Sequence, residues 1–135
     1  MNYLVDANVL SEVTKPKPDP KIIAWIGANE VEIAVDGTIL GEIHYGILLL
    51  PKSRRRQRLE EWFQSVVTGI TCLPWEAETG LEWAKLLARL RKSGRSLPIK
   101  NSLIAATALQ HDLTLVTRNT RDFGKTGVKL LNPFL

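Results

Sequence analysis

Several polar residues are spaced along the chain at places where their side chains could hold a metal ion. Asp6 and Asn8 directly follow a short apolar run near the N-terminus. Glu42 is the one acid in a long apolar stretch, Asn101 falls in the first turn of a predicted helix, and Asn119 follows a later apolar run. Ligands of open α/β sheets bind just outside the carboxyl ends of the strands. If these side chains converge there, their oxygen atoms suit Mg²⁺ or Mn²⁺.

Each of these residues also has an ordinary structural explanation. Asp6 is a good helix N-cap, and Asn119 is a typical turn residue. Glu42 fits a surface acid whose stem lies along an apolar face, and Asn101 fits a polar residue in a first helical turn. A lone buried carboxylate is costly unless it is paired or binds a metal. The metal-site hypothesis therefore depends on whether these groups meet.

Composition narrows the class of protein. The chain has 135 residues, which fits one domain with a sizeable core. No apolar run approaches the ~18 residues of a membrane span, and we find no secretory signal. Cys72 is the only cysteine, so a disulfide within the chain is impossible. These features predict a single cytoplasmic domain with no membrane segment.

The sequence does not predict a zinc site, because its two histidines and single cysteine lie far apart along the chain. The net charge of +4 is compatible with a polyanionic partner. Four arginines, at 54, 55, 56 and 58, cluster where a helix should begin. Basic residues at a helix start oppose the macrodipole, so helix stability alone does not explain them. They form either a solvated face or a contact to nucleic acid or to an acidic protein segment.

Strand-like and helix-like patterns alternate along the chain. We predict strands over residues 2–5, 31–35, 70–73, 113–116 and 128–131, and helices over 7–13, 21–28, 38–50, 54–67, 75–92 and 99–111. This order predicts an α/β fold with a parallel sheet covered on both faces. Asp6 and Asn119 would then lie at the same carboxyl edge of the sheet.

The polar residues lie within longer motifs that follow one another in a recognisable order. These are LVDANVLSE at 4–12, ILGEIHYGILLL at 39–50, LPIKNSLIAATAL at 97–109, LTLVTRNTRDF at 113–123 and VKLLNPF at 128–134. Together they resemble PIN-domain ribonucleases of the VapC type, the toxins of toxin–antitoxin pairs. The motifs keep the order and spacing of that family and span nearly the whole chain. The resemblance implies a PIN-like three-layer α/β/α sandwich with a small parallel sheet.

The resemblance also implies a role for each polar residue. Asp6 matches the first metal-binding acid of the family and Glu42 matches the second. Asn101 falls where the family normally has a third acid, an aspartate. Asn119 matches a fourth site position that is Asp in some members and Asn in many. Asn8 and Arg118 match polar residues beside the site.

The implied activity is Mg²⁺-dependent (or Mn²⁺-dependent) hydrolysis of RNA phosphodiester bonds. Candidate contacts to the RNA backbone are Arg54, Arg55, Arg56, Lys100 and Arg121. The implied partners are a VapB-like antitoxin and a second copy of the chain in a homodimer. Large apolar residues on the predicted helices would serve such interfaces or simply the core; they are Trp25, Leu48, Leu49, Leu50, Trp62 and Phe63.

Two positions depart from the family pattern. Asn101 carries no charge and is a poorer ligand for a divalent cation than an aspartate, so metal binding and cleavage should be weakened. The asparagine is either an engineered change that disarms a toxic enzyme or a natural variant. Ala7 replaces the hydroxyl residue that usually follows the first acid.

Two other functions are compatible with parts of the sequence. A degenerate PIN domain would bind RNA or a protein without cleaving. A phosphotransfer domain also places an aspartate after its first strand. Dehalogenase-type phosphotransferases need a second aspartate where Asn8 stands, and response-regulator receivers need paired acids and a late lysine that are not evident here.

Overall fold

The computed structural model describes residues 1–135, and short apolar runs form its strands. The strands are β1 (Tyr3–Val5), β2 (Ile33–Asp36), β3 (Thr71–Leu73), β4 (Thr114–Val116) and β5 (Lys129–Leu131). They form one sheet in the order β3-β2-β1-β4-β5, and every neighbouring pair is parallel. The predicted parallel α/β sheet is confirmed.

Six helices connect and flank the strands. They are α1 (Ala7–Leu10), α2 (Pro20–Asn29), α3 (Gly37–Leu48), α4 (Arg54–Ser65), α5 (Ala77–Lys92) and α6 (Ile99–Gln110). The central strands are buried, and successive side chains of a strand face opposite sides of the sheet. Helices therefore cover both faces, which gives the predicted three layers. None of the helices has the length and apolar character needed to cross a membrane.

The core is built around β1, where Leu4 and Val5 are fully buried. Helix α6 packs closely because Ala105, Ala106 and Ala108 present small side chains to the interior. Some large apolar residues lie outside the core and are exposed to solvent. Leu48 and Leu49 at the end of α3 are 49% and 66% exposed. Phe63 is buried, and Trp25 and Trp62 pack partly against the core.

Several predicted boundaries are wrong: α4 ends at Ser65 and not at residue 67, α5 begins at Ala77 and not at residue 75, and two others differ for local reasons. Residues 31–35 were expected to be a strand, but residues 30–32 form a 3₁₀ turn and Val31 is 91% exposed. Helix α2 runs directly into that turn, so no extended residues precede Ile33. The first helix was expected over 7–13, but α1 ends at Leu10 and a 3₁₀ helix covers Ser11–Thr14.

Strand register places the predicted site at one edge of the sheet. Leu4 pairs with Ala34, and Val5 pairs with Val116. The backbone N–H of Asp6 donates to the carbonyl of Val116 at 2.9 Å. The residues that end or follow β1, β2 and β4 therefore lie side by side.

Candidate active site

Asp6 is both a helix cap and a buried acid at the sheet edge. Its side chain is the N-cap of α1, where Oδ1 accepts the N–H of Ala7 at 2.8 Å. Its other oxygen, Oδ2, accepts the hydroxyl of Thr117 at 2.8 Å. Burial raises the pKa of Asp6, and the charge of Glu42 raises it further, while these two hydrogen bonds and the charge of Lys100 lower it. Asp6 therefore caps α1 and also lies at the carboxyl edge of the sheet, so the two predicted positions are compatible.

Asn8 joins the turn after β1 to the turn after β4. Its amide nitrogen donates to Asp6 Oδ2 at 3.4 Å and to Thr117 Oγ1 at 3.3 Å. Its amide oxygen accepts the backbone N–H of Arg118 at 3.1 Å. The backbone N–H of Asn119 donates to Thr117 Oγ1 at 3.1 Å, and Asn119 itself is exposed. These bonds fix the two turns against each other, so the Asp6 carboxylate is held in place.

Arg118 is also held by the C-terminal segment. Its guanidinium lies over the ring of Phe134, 3.8 Å from the ring centroid. The amide of Asn132 donates to the carbonyl of Arg118 at 3.3 Å. On its other side, Arg118 lies 3.8 Å from Glu12, which is buried beside Lys15. The Lys15 ammonium, 2.8 Å from Glu12 Oε1, is the main reason that the pKa of Glu12 is lowered.

Glu42 faces this edge from α3. Lys100 Nζ lies 2.7 Å from Glu42 Oε2, and the Glu42 side chain is about one-third exposed at 33%. Its other oxygen, Oε1, is buried and has no hydrogen-bond partner. Glu42 lines one cavity with Ala7 and Asn8, which directly follow Asp6, and its charge raises the pKa of Asp6, so the two carboxylates lie in one cluster.

Asn101 lies in the first turn of α6, directly after Lys100, and is half-buried. The contact of Lys100 with Glu42 sets this turn against α3. No three side chains drawn from His, Cys, Asp and Glu come together in the structure. The structure thus brings Asp6 and Glu42 into one cluster, with an asparagine and a lysine on the neighbouring helix.

Two residues at this edge were missed by sequence reasoning. Asp36 ends β2, is 4% exposed and caps α3 through the N–H of Ile39 at 2.8 Å. Burial raises the pKa of Asp36, and the charge of Asp6 adds to the effect. Thr117 is fully buried and bonds Asp6. Both could have been predicted from the sequence, because each is an acid or a hydroxyl residue at the end of a predicted strand.

The basic residues predicted to contact RNA differ in their surroundings. Arg54, Arg55 and Arg121 are exposed. Arg55 lines a cavity of about 360 Å³ that also includes Asn8 and Glu42. Arg56 is instead tied to Glu60 and to the carbonyl of Leu50, each at 3.1 Å.

The donor set fits a hard divalent cation, although weakly. Asp6 and Glu42 offer carboxylate oxygens, which Mg²⁺ and Mn²⁺ prefer. Glu42 Oε1 is a buried oxygen without a partner, which a cation would satisfy. Asn101 offers only a neutral amide oxygen to such an ion.

Comparison with known proteins identifies the family to which this fold belongs. Residues 3–129 match the family model of the PIN domain. This chain belongs to the PIN-domain family. It is 31% identical to the VapC ribonuclease Y4jK of Sinorhizobium fredii, over 97% of this chain and 96% of that protein. It is 27% identical to the toxin FitB of Neisseria gonorrhoeae, over 97% of each chain. The predicted resemblance to VapC-type PIN domains is therefore confirmed.

Solved structures show the same fold as this PIN domain. The crystal structure of FitAcB from Neisseria gonorrhoeae contains a chain with a TM-score of 0.90 and 27% identity, covering 98% of both chains. A chain of VapBC2 from Rickettsia felis, bound to a promoter DNA fragment, has a TM-score of 0.83 at 21% identity and covers 98% of both chains. The latter likeness concerns the fold alone.

Proposed function

We propose that this PIN domain is the endoribonuclease toxin of a VapBC-type toxin–antitoxin module and hydrolyses RNA phosphodiester bonds with a divalent metal ion. The observation that carries the proposal is the cluster of Asp6 and Glu42 beside one cavity at the carboxyl edge of a parallel sheet. This cluster occurs in a chain 31% identical over nearly its full length to a VapC ribonuclease.

Asp6, Glu42 and the amide oxygen of Asn101 would hold Mg²⁺ or Mn²⁺. Such an ion polarises a phosphoryl oxygen and lowers the pKa of a bound water. The protein's part is to hold the ligands in place. Thr117 and the N–H of Ala7 fix the Asp6 carboxylate, so it does not need to reorient when a substrate arrives.

RNA would approach along the cavity that runs from Asn8 and Glu42 to Arg55. The exposed guanidinium of Arg55 would neutralise backbone phosphates there. A neighbouring cavity of about 440 Å³ shares Arg55 and Trp62 and extends the same surface. We propose that this surface also receives a VapB-like antitoxin, and that the toxin acts in the cytoplasm and forms a homodimer.

A second candidate, a degenerate PIN domain that binds without cleaving, is favoured by one observation. Asn101 occupies the position where the resemblance implies a third acid, which leaves Asp6 and Glu42, and a lysine already pairs with Glu42. RNA binding by the arginines would survive the loss of metal.

An assay of RNA cleavage with and without Mg²⁺ tests the proposal. Asn101→Asp adds a charged ligand, so we expect it to raise Mg²⁺-dependent cleavage by at least tenfold, a difference of about 1.4 kcal/mol in transition-state stabilisation. Asp6→Asn is the matched control and should abolish the gain. Equal activity of the parent chain and Asn101→Asp would show that residue 101 is not part of the site. Absence of cleavage by either chain, with RNA binding retained, would favour the binding module.

A further inference from the structure

The ammonium group of Lys100 lies beside the oxygens that would bind the metal. Lys100 Nζ is 2.7 Å from Glu42 Oε2, and its positive charge also acts on Asp6. No other basic side chain forms an ion pair with the Glu42 carboxylate. Lys100 therefore supplies one positive charge to a cluster of two carboxylates.

We propose that Lys100 is an internal counter-ion that competes with the divalent cation for Glu42 and thereby sets the metal affinity of the site. This inference rests on the proposed function, because it assumes that Asp6 and Glu42 are metal ligands. It goes beyond that function by assigning a role to a residue that the sequence marked only as a possible RNA contact.

The geometry distinguishes this pair from ordinary surface ion pairs. Lys15–Glu12 and Lys85–Glu82 join residues three apart in sequence. Lys100–Glu42 joins two helices, across 58 residues of sequence. It holds one oxygen of Glu42 and leaves the other buried without a partner. Two cations beside one carboxylate repel each other, so the ammonium on Oε2 opposes the binding of a metal ion at Oε1.

The pair is also easy to break. The Lys100 side chain is 51% exposed and that of Glu42 is 33% exposed. Partly exposed pairs of this kind contribute little stability, and a lysine has a long, flexible stem. Glu42 would therefore release the Lys100 ammonium into solvent at little cost to the fold, and the competition should lower metal affinity only moderately.

Calorimetric titration of the full chain with Mn²⁺ tests the inference. Lys100→Met removes the charge and retains much of the apolar stem, and we expect it to bind Mn²⁺ about three- to tenfold more tightly than the parent chain. Lys100→Arg keeps the charge and should not tighten binding. Lys85→Met is the matched control, since Lys85 pairs with Glu82 on α5 and is 74% exposed; its Mn²⁺ affinity should equal that of the parent chain.

Unchanged or weaker Mn²⁺ binding by folded Lys100→Met would overturn the inference, because the pair would then only join α3 to α6. Equal tightening in Lys100→Arg would overturn it as well. If neither the parent chain nor Asn101→Asp binds Mn²⁺, the proposed metal-dependent function fails together with the inference. Metal binding without tightening in Lys100→Met overturns the inference alone.

Discussion

Asp6 and Asp36 are buried carboxyl groups at the ends of neighbouring parallel strands. Each caps the helix that follows its strand, and each is less than a tenth exposed, at 7% and 4%. Burial raises the pKa of both groups, because a charged carboxylate loses hydration in the interior. Ionising both at neutral pH therefore costs the folded state stability.

A pH titration of stability tests this argument at Asp36. Its folded-state pKa is raised, so its contribution to stability is fully present below the unfolded-state pKa and is lost as the pH rises through the folded-state value. Asp36→Asn retains a capping side chain but cannot ionise. We expect the melting temperature of the variant to rise relative to the parent chain, by a few degrees, between pH 4 and pH 7. Parallel melting curves across that range would contradict the assignment.

At the scale of residues, the sequence predicted the positions of Asp6 and Glu42 but not their partners. An acid after a strand is visible as a pattern, whichever role it plays. The hydrogen bond of Thr117 to Asp6 joins residues 111 apart in sequence, and that of Lys100 to Glu42 joins residues 58 apart. Such contacts depend on strand order and helix packing, which local patterns do not specify.

Helix α4 shows how an element divides its charges. Its N-cap is Ser53, whose hydroxyl accepts the N–H of Arg56 at 3.1 Å and offsets an unfavourable basic first turn. Arg56 is then bonded to Glu60, one turn further along. Its neighbour Arg55 faces the cavity beside Glu42 instead. One arginine therefore stabilises the helix, and the next is free to bind a ligand.

A matched pair of substitutions separates these roles. Arg55→Ala should weaken binding of single-stranded RNA about two- to fivefold at low salt, because one phosphate contact is lost. Its melting temperature should barely change. Arg56→Ala should destabilise the protein by about 0.5–1 kcal/mol and affect RNA less. Fluorescence anisotropy and thermal melting measure the two effects. Equal losses of RNA affinity in Arg55→Ala and Arg56→Ala would show that the position of Arg55 at the cavity gives it no special role in RNA binding.

At the scale of elements, periodicity found each helix and strand but not each boundary. Val31 fits an alternating strand pattern, yet it lies in a 3₁₀ turn because α2 ends immediately before it. Residues 7–13 read as one helix, yet the chain tightens into a 3₁₀ helix after Leu10. Boundaries of this kind are set by the distance that a connection must span.

For the whole molecule, the alternation of strands and helices predicted a parallel sheet. The order of the strands within that sheet could not be predicted from this alternation. β1 is first in sequence but central in the sheet, between β2 and β4. That position puts Asp6 in the middle of the carboxyl edge, where groups from three strands and two helices meet. Strand order depends on how the strands and helices pack together, which local sequence patterns do not specify.

The C-terminal segment supports this edge, and Phe134→Ala tests how strongly. The substitution removes the ring beneath the guanidinium of Arg118. We expect a loss of about 1 kcal/mol in the free energy of unfolding, and faster amide hydrogen exchange at residues 117–119. Phe134→Tyr keeps an aromatic face and should behave like the parent chain. Unchanged exchange in Phe134→Ala would show that the turn is held by Asn8 and Thr117 alone.

The contact between Phe134 and Arg118 has a practical consequence for handling the protein. An affinity tag fused after Leu135 would begin next to Phe134, whose ring supports the turn that carries Arg118. A polyhistidine tag placed there would also bring metal-chelating groups close to the proposed metal site. The Met1 ammonium instead pairs with Glu32 at 2.9 Å, beside the start of β2 and at the opposite edge of the sheet. Purification handles therefore belong at the N-terminus.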